Sequence, residues 1–286
     1  MTAELVANEA DRALKSKHRQ MWASGDYAAV AAEVIPTLGP VLVEYSGVRP
    51  GDRVLDVAAG TGNAALPAAL AGASVVATDL TPELLDEGEA IAARSGASLE
   101  WRQADAEALP FGDGEFDTVL SCVGVMFAPH HQASADELLR VCRPGGTIGL
   151  LNWTPEGFIG QMFATMKPYA PPPPPGAQPP PLWGNEEHVR ALFGDEVTEV
   201  RATRQKLQVD VFDGPEGFRD YFKSKYGPTI VAYRSIAEDP ERVAALDRDL
   251  VELASAFEVS GGDASAQSPT RHMEWEYLLL TARKRG

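Results

Sequence analysis

An acidic residue and a glycine-rich turn carry the clearest chemical signal in the sequence. Val54-Leu55-Asp56-Val57 is typical of an apolar strand, and it runs into Gly60-Thr61-Gly62-Asn63 and then an alanine-rich helix. Such a turn lets the backbone approach a ligand closely and directs free helix amides toward it. Gly60 to Ala65 also satisfies the dinucleotide pattern G-x-G-x-x-[GA]. The turn alone therefore predicts a nucleotide-like cofactor and leaves its identity open.

Two carboxylates favour S-adenosylmethionine over a dinucleotide. Asp56 lies four residues before Gly60, where an acid has little use beside a pyrophosphate but suits the ammonium of a methionine-like group. Asp79 ends the next predicted strand, 19 residues after Gly60, which is the placement of a carboxylate that binds both ribose hydroxyls. In the structural alternatives, Asp56 accepts bonds from loop amides and Asp79 caps the helix that begins at Thr81-Pro82.

A third acidic segment, Asp105-Ala106-Glu107, follows the predicted strand Leu99–Gln103. A carboxylate here accepts from the exocyclic amine of an adenine, and the Ala106 amide meets a ring nitrogen. Further along, a predicted helix is stopped by Pro144-Gly145-Gly146 before an apolar strand.

These segments together resemble the class I S-adenosylmethionine-dependent methyltransferases, particularly the ubiquinone/menaquinone-biosynthesis C-methyltransferases and their small-molecule relatives. The resemblance covers residues 25–153 well and is carried by Val54–Gly62, Thr78-Asp79, Ala104–Pro110 with Phe116-Asp117, and Arg140–Gly146. It implies S-adenosyl-L-methionine as cofactor, S-adenosyl-L-homocysteine as product, and a seven-stranded sheet whose last strand is antiparallel. The family often has glycine where this chain has Ala58, and we expect the methyl group to fit if the backbone there keeps a negative φ.

Alternating strands and helices predict an α/β fold, a Rossmann-like doubly wound sheet. The pattern predicts four parts: an N-terminal helical lid (1–46), a cofactor-binding core (47–153), a proline-rich connector (154–195) and a C-terminal part with substrate-side helices (196–286). Predicted core strands lie near 53–57, 74–79, 98–103, 116–121 and 146–152, with helices near 62–71, 82–95 and 131–142. Later elements are helices near 185–193, 214–225 and 239–257, strands near 197–211 and 274–282, and a glycine/serine-rich loop at 260–268.

The proline-rich connector has nine prolines in residues 168–181, including the run Pro171–Pro175. Such a segment excludes a helix or an interior strand and predicts an extended, semi-rigid stretch over the mouth of the site.

Composition limits the class of partner. The net charge of −16 disfavours nucleic acid and anionic membrane surfaces. The sequence has neither a signal peptide nor an apolar run of about 18 residues, so we expect a cytoplasmic protein. Its two cysteines lack metal-ligand spacing, so we expect no bound metal. The oligomeric state stays open.

The predicted site combines three groups of residues. His130, His131 and His18 are candidate bases, needed only if the acceptor must lose a proton. By the resemblance, the lid residues Lys17, His18, Trp22 and Tyr27 close over the methionine end of the cofactor. Residues predicted to contact the cofactor are Trp22, Tyr27, Asp56, Ala58, Gly60, Gly62, Asn63, Asp79, Leu80, Asp105, Ala106, Glu107 and Ser121. Residues predicted to contact the acceptor are Phe127, Asn152, Trp153 and Tyr226.

Methyl transfer to a small, aromatic or heteroaromatic metabolite, in specialised metabolism, is the predicted function. One alternative is a non-catalytic cofactor-binding or scaffold protein, with the proline run docking a partner. The other is an NAD-dependent oxidoreductase, although the sequence has no obvious hydride-transfer set and this reading leaves Asp56 and Asp105 unexplained.

Overall fold

Short apolar segments alternate with amphipathic helices, and together they build one twisted sheet covered on both faces. The structure is a computed structural model that describes residues 3–174, 176–261 and 270–286. Its strands are Arg53–Val57 (β1), Ser74–Asp79 (β2), Glu100–Gln103 (β3), Phe116–Cys122 (β4), Cys142–Trp153 (β5), Val197–Val209 (β6), Glu258–Gly261 (β7) and Thr270–Lys284 (β8).

The strand order is β3-β2-β1-β4-β5-β8-β6, with β7 paired to the first residues of β8. Strands β1 to β5 are parallel, and β8 runs antiparallel between β5 and β6. This confirms the predicted Rossmann-like sheet with an antiparallel last strand. The order reverses between β1 and β4, and ligands of such sheets bind at that point, beyond the carboxyl ends of the strands.

The helices surround the sheet and agree with the predicted ones to within a few residues wherever the pattern was strong. They are Ala3–Trp22 (α1), Tyr27–Ala29 (α2), Leu38–Ser46 (α3), Ala65–Leu70 (α4), Pro82–Ser95 (α5), His131–Val141 (α6), Phe158–Met166 (α7), Glu186–Phe193 (α8), Gly214–Lys225 (α9), Gly227–Ser235 (α10) and Pro240–Ala256 (α11). A π-helical turn at Val30–Val34 follows α2 directly.

Helix α4 begins at Ala65 and not at residue 62, as the sequence predicted. Gly60 and Gly62 both have positive φ, 57° and 93°, which is incompatible with a right-handed helix. The chain therefore turns through residues 60–64 before the helix starts.

Two helices and one strand were missed by the sequence analysis. Helix α7 is the next element after Trp153, where the alternation of strands and helices was expected to stop. Helix α10 buries residues around most of its circumference, including Thr229, Ile230, Ala232 and Tyr233, so it has no clear apolar stripe. Strand β7 is only four residues long, and it adds an eighth strand to the seven predicted.

The proline-rich segment lies beside the carboxyl edge of the sheet. Residues 171–174 have no regular structure, as predicted, and Pro180–Gly184 form a 3-10 turn. The Gln178 amide donates to the carbonyl of Pro129 over 3.0 Å, which ties the segment to the loop after β4. Pro175 and residues 262–268 of the predicted glycine/serine loop lie outside the described residues.

Within the described ranges, no single helix is long and apolar enough to cross a membrane. One pair of consecutive helical segments with a bend between them, Tyr27–Val34 and Leu38–Ser46, is long and apolar enough when the two are taken together, by length and composition only.

Candidate functional site

The glycine turn after β1 is held by backbone geometry at Ala58. Ala58 has φ +55°, so the condition under which the methyl group was expected to fit, a negative φ, is not met. The left-handed residue reverses the chain at the strand end, and the next amide, that of Ala59, donates to Thr78 O in β2 over 2.8 Å. Gly124 leaves room for this turn, because a Cβ there would lie 2.1 Å from the Ala58 carbonyl oxygen.

Asp79 connects the turn to the start of α5. Its Oδ2 accepts from the Gly60 amide and its Oδ1 from the Thr81 amide, each over 2.8 Å. Burial raises the pKa of this carboxyl, and the two amides act in the opposite direction. The capping role leaves room for the predicted ligand-binding role, because Asp79 also lines a cavity beside the turn.

Asp56 lies beneath the turn rather than on the cavity wall. Its side chain is buried, and neither carboxylate oxygen has a hydrogen-bond partner among the described residues. Burial raises the pKa of Asp56 to about 8, while the amides of Ala65 and Ala64 face it and oppose that rise. A deeply buried acid is stabilised as its anion by hydrogen-bond donors or by a positively charged neighbour.

A cavity of about 700 Å³ opens at the carboxyl edge of the sheet where the strand order reverses. Many of the predicted cofactor residues line it, together with one predicted base: Trp22, Tyr27, Ala58, Gly60, Asp79, Leu80, Asp105, Ala106 and His18. The sequence analysis missed part of the lining, because those side chains carry no motif: Lys15, Thr81, Leu84, Ala104, Val123, Gly124, Ala128 and Pro129. Phe127, predicted to contact the acceptor, also lies on this wall.

The remaining predicted cofactor residues lie around the cavity and not on its wall. Ser121 joins two strands, since its hydroxyl donates to Val57 O over 2.7 Å and accepts from Val125 N over 2.9 Å. Gly62 packs over Trp101 and Leu66. The carbonyl of Asn63 contacts Gly39, and the Asn63 side chain is half-buried.

Helix α1 is fastened to the cavity by Lys15. The Lys15 Nζ lies 2.5 Å from Asp105 Oδ2, 3.0 Å from Glu107 Oε2 and 2.9 Å from Asp11 Oδ2. Burial lowers the pKa of Lys15, but the bonds to these carboxylates outweigh it and the pKa is raised. The Asp11, Glu107 and His130 ligand atoms lie within 4.8 Å of one another, as in a metal site. Lys15 already supplies the positive charge that these carboxylates need.

The three predicted bases occupy different environments. His18 lines the cavity, and burial lowers its pKa. The Nδ1 of His130 lies 2.9 Å from Glu107 Oε2. His131 is fully buried away from the cavity, with Nδ1 2.9 Å from the Nε2 of His188, and burial followed by the neighbouring imidazole lowers its pKa to about 4.

A second, smaller cavity of about 310 Å³ adjoins the first. The predicted acceptor residues Phe127, Trp153 and Tyr226 line it, whereas Asn152 is buried outside it. The two cavities share Tyr27, Val123 and Phe127. The rest of the smaller cavity's wall is formed by Val30, Ile35, Ile159, Phe222 and Trp275.

Trp22, near the end of α1, covers this shared wall. Its ring lies 5.4 Å from that of Tyr27, 4.7 Å from Phe127 and 5.7 Å from Tyr226, all in edge-to-face geometry. Such contacts contribute beyond simple area burial. Helix α1 therefore closes both cavities, with Lys15 over the larger one and Trp22 over the boundary.

Comparison with known proteins identifies the family. Residues 54–146 match the model of a methyltransferase domain. This range contains the glycine turn together with Asp56, Asp79 and Asp105. The chain is 38% identical over 120 residues to the ubiquinone/menaquinone biosynthesis C-methyltransferase UbiE of Ectopseudomonas mendocina, covering 40% of this chain and 47% of UbiE. The chain belongs to the class I S-adenosylmethionine-dependent methyltransferases.

Relatives of full length extend the likeness beyond the methyltransferase core. Rv1403c of Mycobacterium tuberculosis is 56% identical over 267 residues, covering 93% of this chain and 94% of that protein. Among solved structures, YcgJ of Bacillus subtilis superposes with a TM-score of 0.59 at 16% identity, over 87% of this chain and 98% of that one. At that identity the likeness shows the fold alone.

Family membership implies S-adenosylmethionine as the cofactor and S-adenosylhomocysteine as its product. The residues present fit such a molecule. The buried carboxylate of Asp56 has no hydrogen-bond partner among the described residues, and burial raises the pKa of Asp79, whereas the cofactor brings both a sulfonium and an ammonium. Asp79 and Gly60 lie on the wall that the ribose and methionine parts would meet.

Proposed function

We propose that this methyltransferase moves a methyl group from S-adenosylmethionine in the larger cavity to a small, planar, largely apolar molecule in the smaller one. The observation that carries the proposal is the shared wall of Tyr27, Val123 and Phe127, because it joins the cavity beside the glycine turn to one lined largely by aromatic side chains.

The chain's own residues provide position and exclude water. When bound, S-adenosylmethionine supplies a methyl group on a sulfonium, whose thioether is a good leaving group in an in-line displacement. Asp79 and the glycine turn hold the cofactor side, and the aromatic wall orients a flat acceptor against the boundary. Well-held reactants gain on the order of 7–11 kcal/mol over the same reactants free in solution. Trp22 keeps water out of the boundary.

Binding of the product analogue tests the cofactor half of the proposal. Calorimetric titration with S-adenosylhomocysteine should give micromolar affinity, and NAD should give none. Asp79→Asn should weaken S-adenosylhomocysteine about 10- to 100-fold, because hydrogen bonds to a charged group are lost. Asp52→Asn is the matched control, since Asp52 also accepts from a backbone amide, that of Arg49, but lies at the opposite end of β1 from the turn and outside the cavity wall.

The outcomes separate the rival functions. Binding of NAD alone contradicts the proposal and supports the oxidoreductase. Binding of S-adenosylhomocysteine without methyl transfer from labelled S-adenosylmethionine to any planar metabolite supports the non-catalytic alternative.

A further inference from the structure

The smaller cavity combines an apolar wall with hydrogen-bond donors. The lining residues with a polar side-chain atom, over the part of the chain that the structure describes, are Tyr27, Tyr226, Trp153 and Trp275. An indole N–H can only donate, and a phenol can donate or accept. The same lining includes no carboxylate, imidazole, ammonium or guanidinium among the described residues.

One of these donors is a buried atom without a partner, and a second belongs to a buried residue. Trp275 is 1% exposed, its Nε1 has no hydrogen-bond partner among the described residues, and its ring stacks on Phe158 at 5.1 Å. Tyr226 is 5% exposed, and no hydrogen bond of its hydroxyl is found in the described ranges. Burial, followed by the nearby Tyr27, raises the pKa of Tyr226 far above its ordinary value, so the hydroxyl keeps its proton. Buried donors without partners are costly, and a ligand oxygen would satisfy them.

None of the predicted bases reaches this cavity. His18 lines only the larger cavity, His130 is engaged by Glu107, and His131 is paired with His188. An acceptor that must lose its proton during the reaction needs a base within hydrogen-bond reach. A protonated amine needs one as well, and the lining carries no carboxylate to receive it. An aromatic wall also attracts quaternary ammonium groups, but such a ligand would leave both donors unpaired.

We propose that the smaller cavity takes a planar apolar acid that is already ionised at neutral pH, with its anionic oxygen held by the Tyr226 hydroxyl and the Trp275 indole. This inference rests on the proposed function. In the transfer, a lone pair of the acceptor forms the bond to the methyl carbon while the carbon–sulfur bond breaks onto sulfur. The anion and the sulfonium thereby become two neutral groups, and no proton has to leave. Joining opposite charges in a water-poor cavity is favourable, because the low dielectric strengthens their attraction.

Two flat bicyclic probes of opposite charge test the proposal. The first is 4-hydroxycoumarin, whose enol is ionised at neutral pH, and the second is 4-aminoquinoline, which is a cation there. Each is titrated calorimetrically into protein saturated with S-adenosylhomocysteine. The variants are Tyr226→Phe and Trp275→Phe. Tyr169→Phe is the matched control, because it removes a phenol hydroxyl that bonds to Asp249, outside both cavities.

We expect hydroxycoumarin to bind, aminoquinoline not to bind, and Tyr226→Phe to weaken hydroxycoumarin about 10- to 100-fold. Trp275→Phe should weaken it similarly, and Tyr169→Phe should leave it unchanged. The S-adenosylhomocysteine affinity of each variant checks that the fold is intact. Tighter binding of the aminoquinoline, no hydroxycoumarin binding, or an unchanged affinity in Tyr226→Phe overturns the inference. If the wild-type protein fails to bind S-adenosylhomocysteine, the proposed function fails instead.

Discussion

Replacing Asp56 with asparagine should change how the stability of the protein depends on pH. Asp56 is buried beneath the glycine turn with a pKa raised to about 8, whereas a solvated aspartate has a pKa near 3.8. Between these values the folded protein holds a proton that the unfolded chain has released. The folded state therefore binds more protons than the unfolded state, and stability must fall as pH rises through this window.

The size of the effect follows from the two pKa values. Each pH unit inside the window costs the folded state about 1.4 kcal/mol, so raising the pH from 5 to 7 costs about 2–3 kcal/mol from this one group. For a chain of this size that corresponds to a melting temperature lower by about 5–10 °C. Asparagine has no proton to release, so Asp56→Asn should lose this part of the slope and gain relative stability at pH 7.

Differential scanning calorimetry of both proteins at pH 5, 6 and 7 measures the difference directly. Other groups titrate equally in the two proteins and cancel in the comparison. Asp52→Asn serves again as control, because Asp52 is a half-buried carboxylate near the surface and should leave the wild-type slope in place. If the melting temperatures of Asp56→Asn and wild type run parallel from pH 5 to 7, the reasoning is refuted.

Three further substitutions test the supports of the site. Gly39→Ala should weaken S-adenosylhomocysteine binding and lower the melting temperature, because its Cβ would lie 1.6 Å from the Asn63 carbonyl oxygen. Calorimetry should show no such loss for the control Gly112→Ala, where the atom nearest to the new Cβ is 3.6 Å away. Equal behaviour of the two variants would contradict the packing argument. Ala58→Gly should stabilise the protein by about 1 kcal/mol, since a left-handed alanine is strained; a lower melting temperature in a thermal scan would count against this. Lys15→Met should make α1 more sensitive to limited proteolysis, because Asp105 and Glu107 lose the cation that pairs with them. The control Lys17→Met should leave the sensitivity of α1 unchanged. Mass spectrometry of the first cleavage sites decides between these outcomes.

Local sequence signals predicted the cofactor side of the molecule well. Strands β1 and β2 were predicted to the residue, because short apolar runs end there at turn residues. The position of Asp79 at the end of β2 followed from its spacing to Gly60. These features depend on neighbours close in the chain, which a single sequence displays directly.

The smaller cavity depends on contacts between distant segments, and the sequence predicted only Phe127, Trp153 and Tyr226 of its lining. Trp275 and Tyr226 meet Tyr27 only because β8 inserts beside β5 and α9 ends over the same edge. The role of Lys15 at the cavity could not be predicted, since its partners Asp105 and Glu107 lie some 90 residues away along the chain. The positive φ of Ala58 was missed for a related reason: the room that allows it comes from Gly124, in the loop after β4.

The position of β8 in the sheet also orders events during synthesis. Strand β6 pairs only with β8, yet about sixty residues separate the end of the first from the start of the second. While the ribosome makes that interval, β5 and β6 each present an unpaired strand edge, which is a template for aggregation. The nascent chain can complete its sheet only when residues 270–284 emerge, and these residues also deliver Trp275 to the acceptor cavity. A chain that stops short of them therefore lacks both its last central strand and part of the wall of the smaller cavity, so completion of the sheet and of the proposed acceptor site depends on the same fifteen-residue segment.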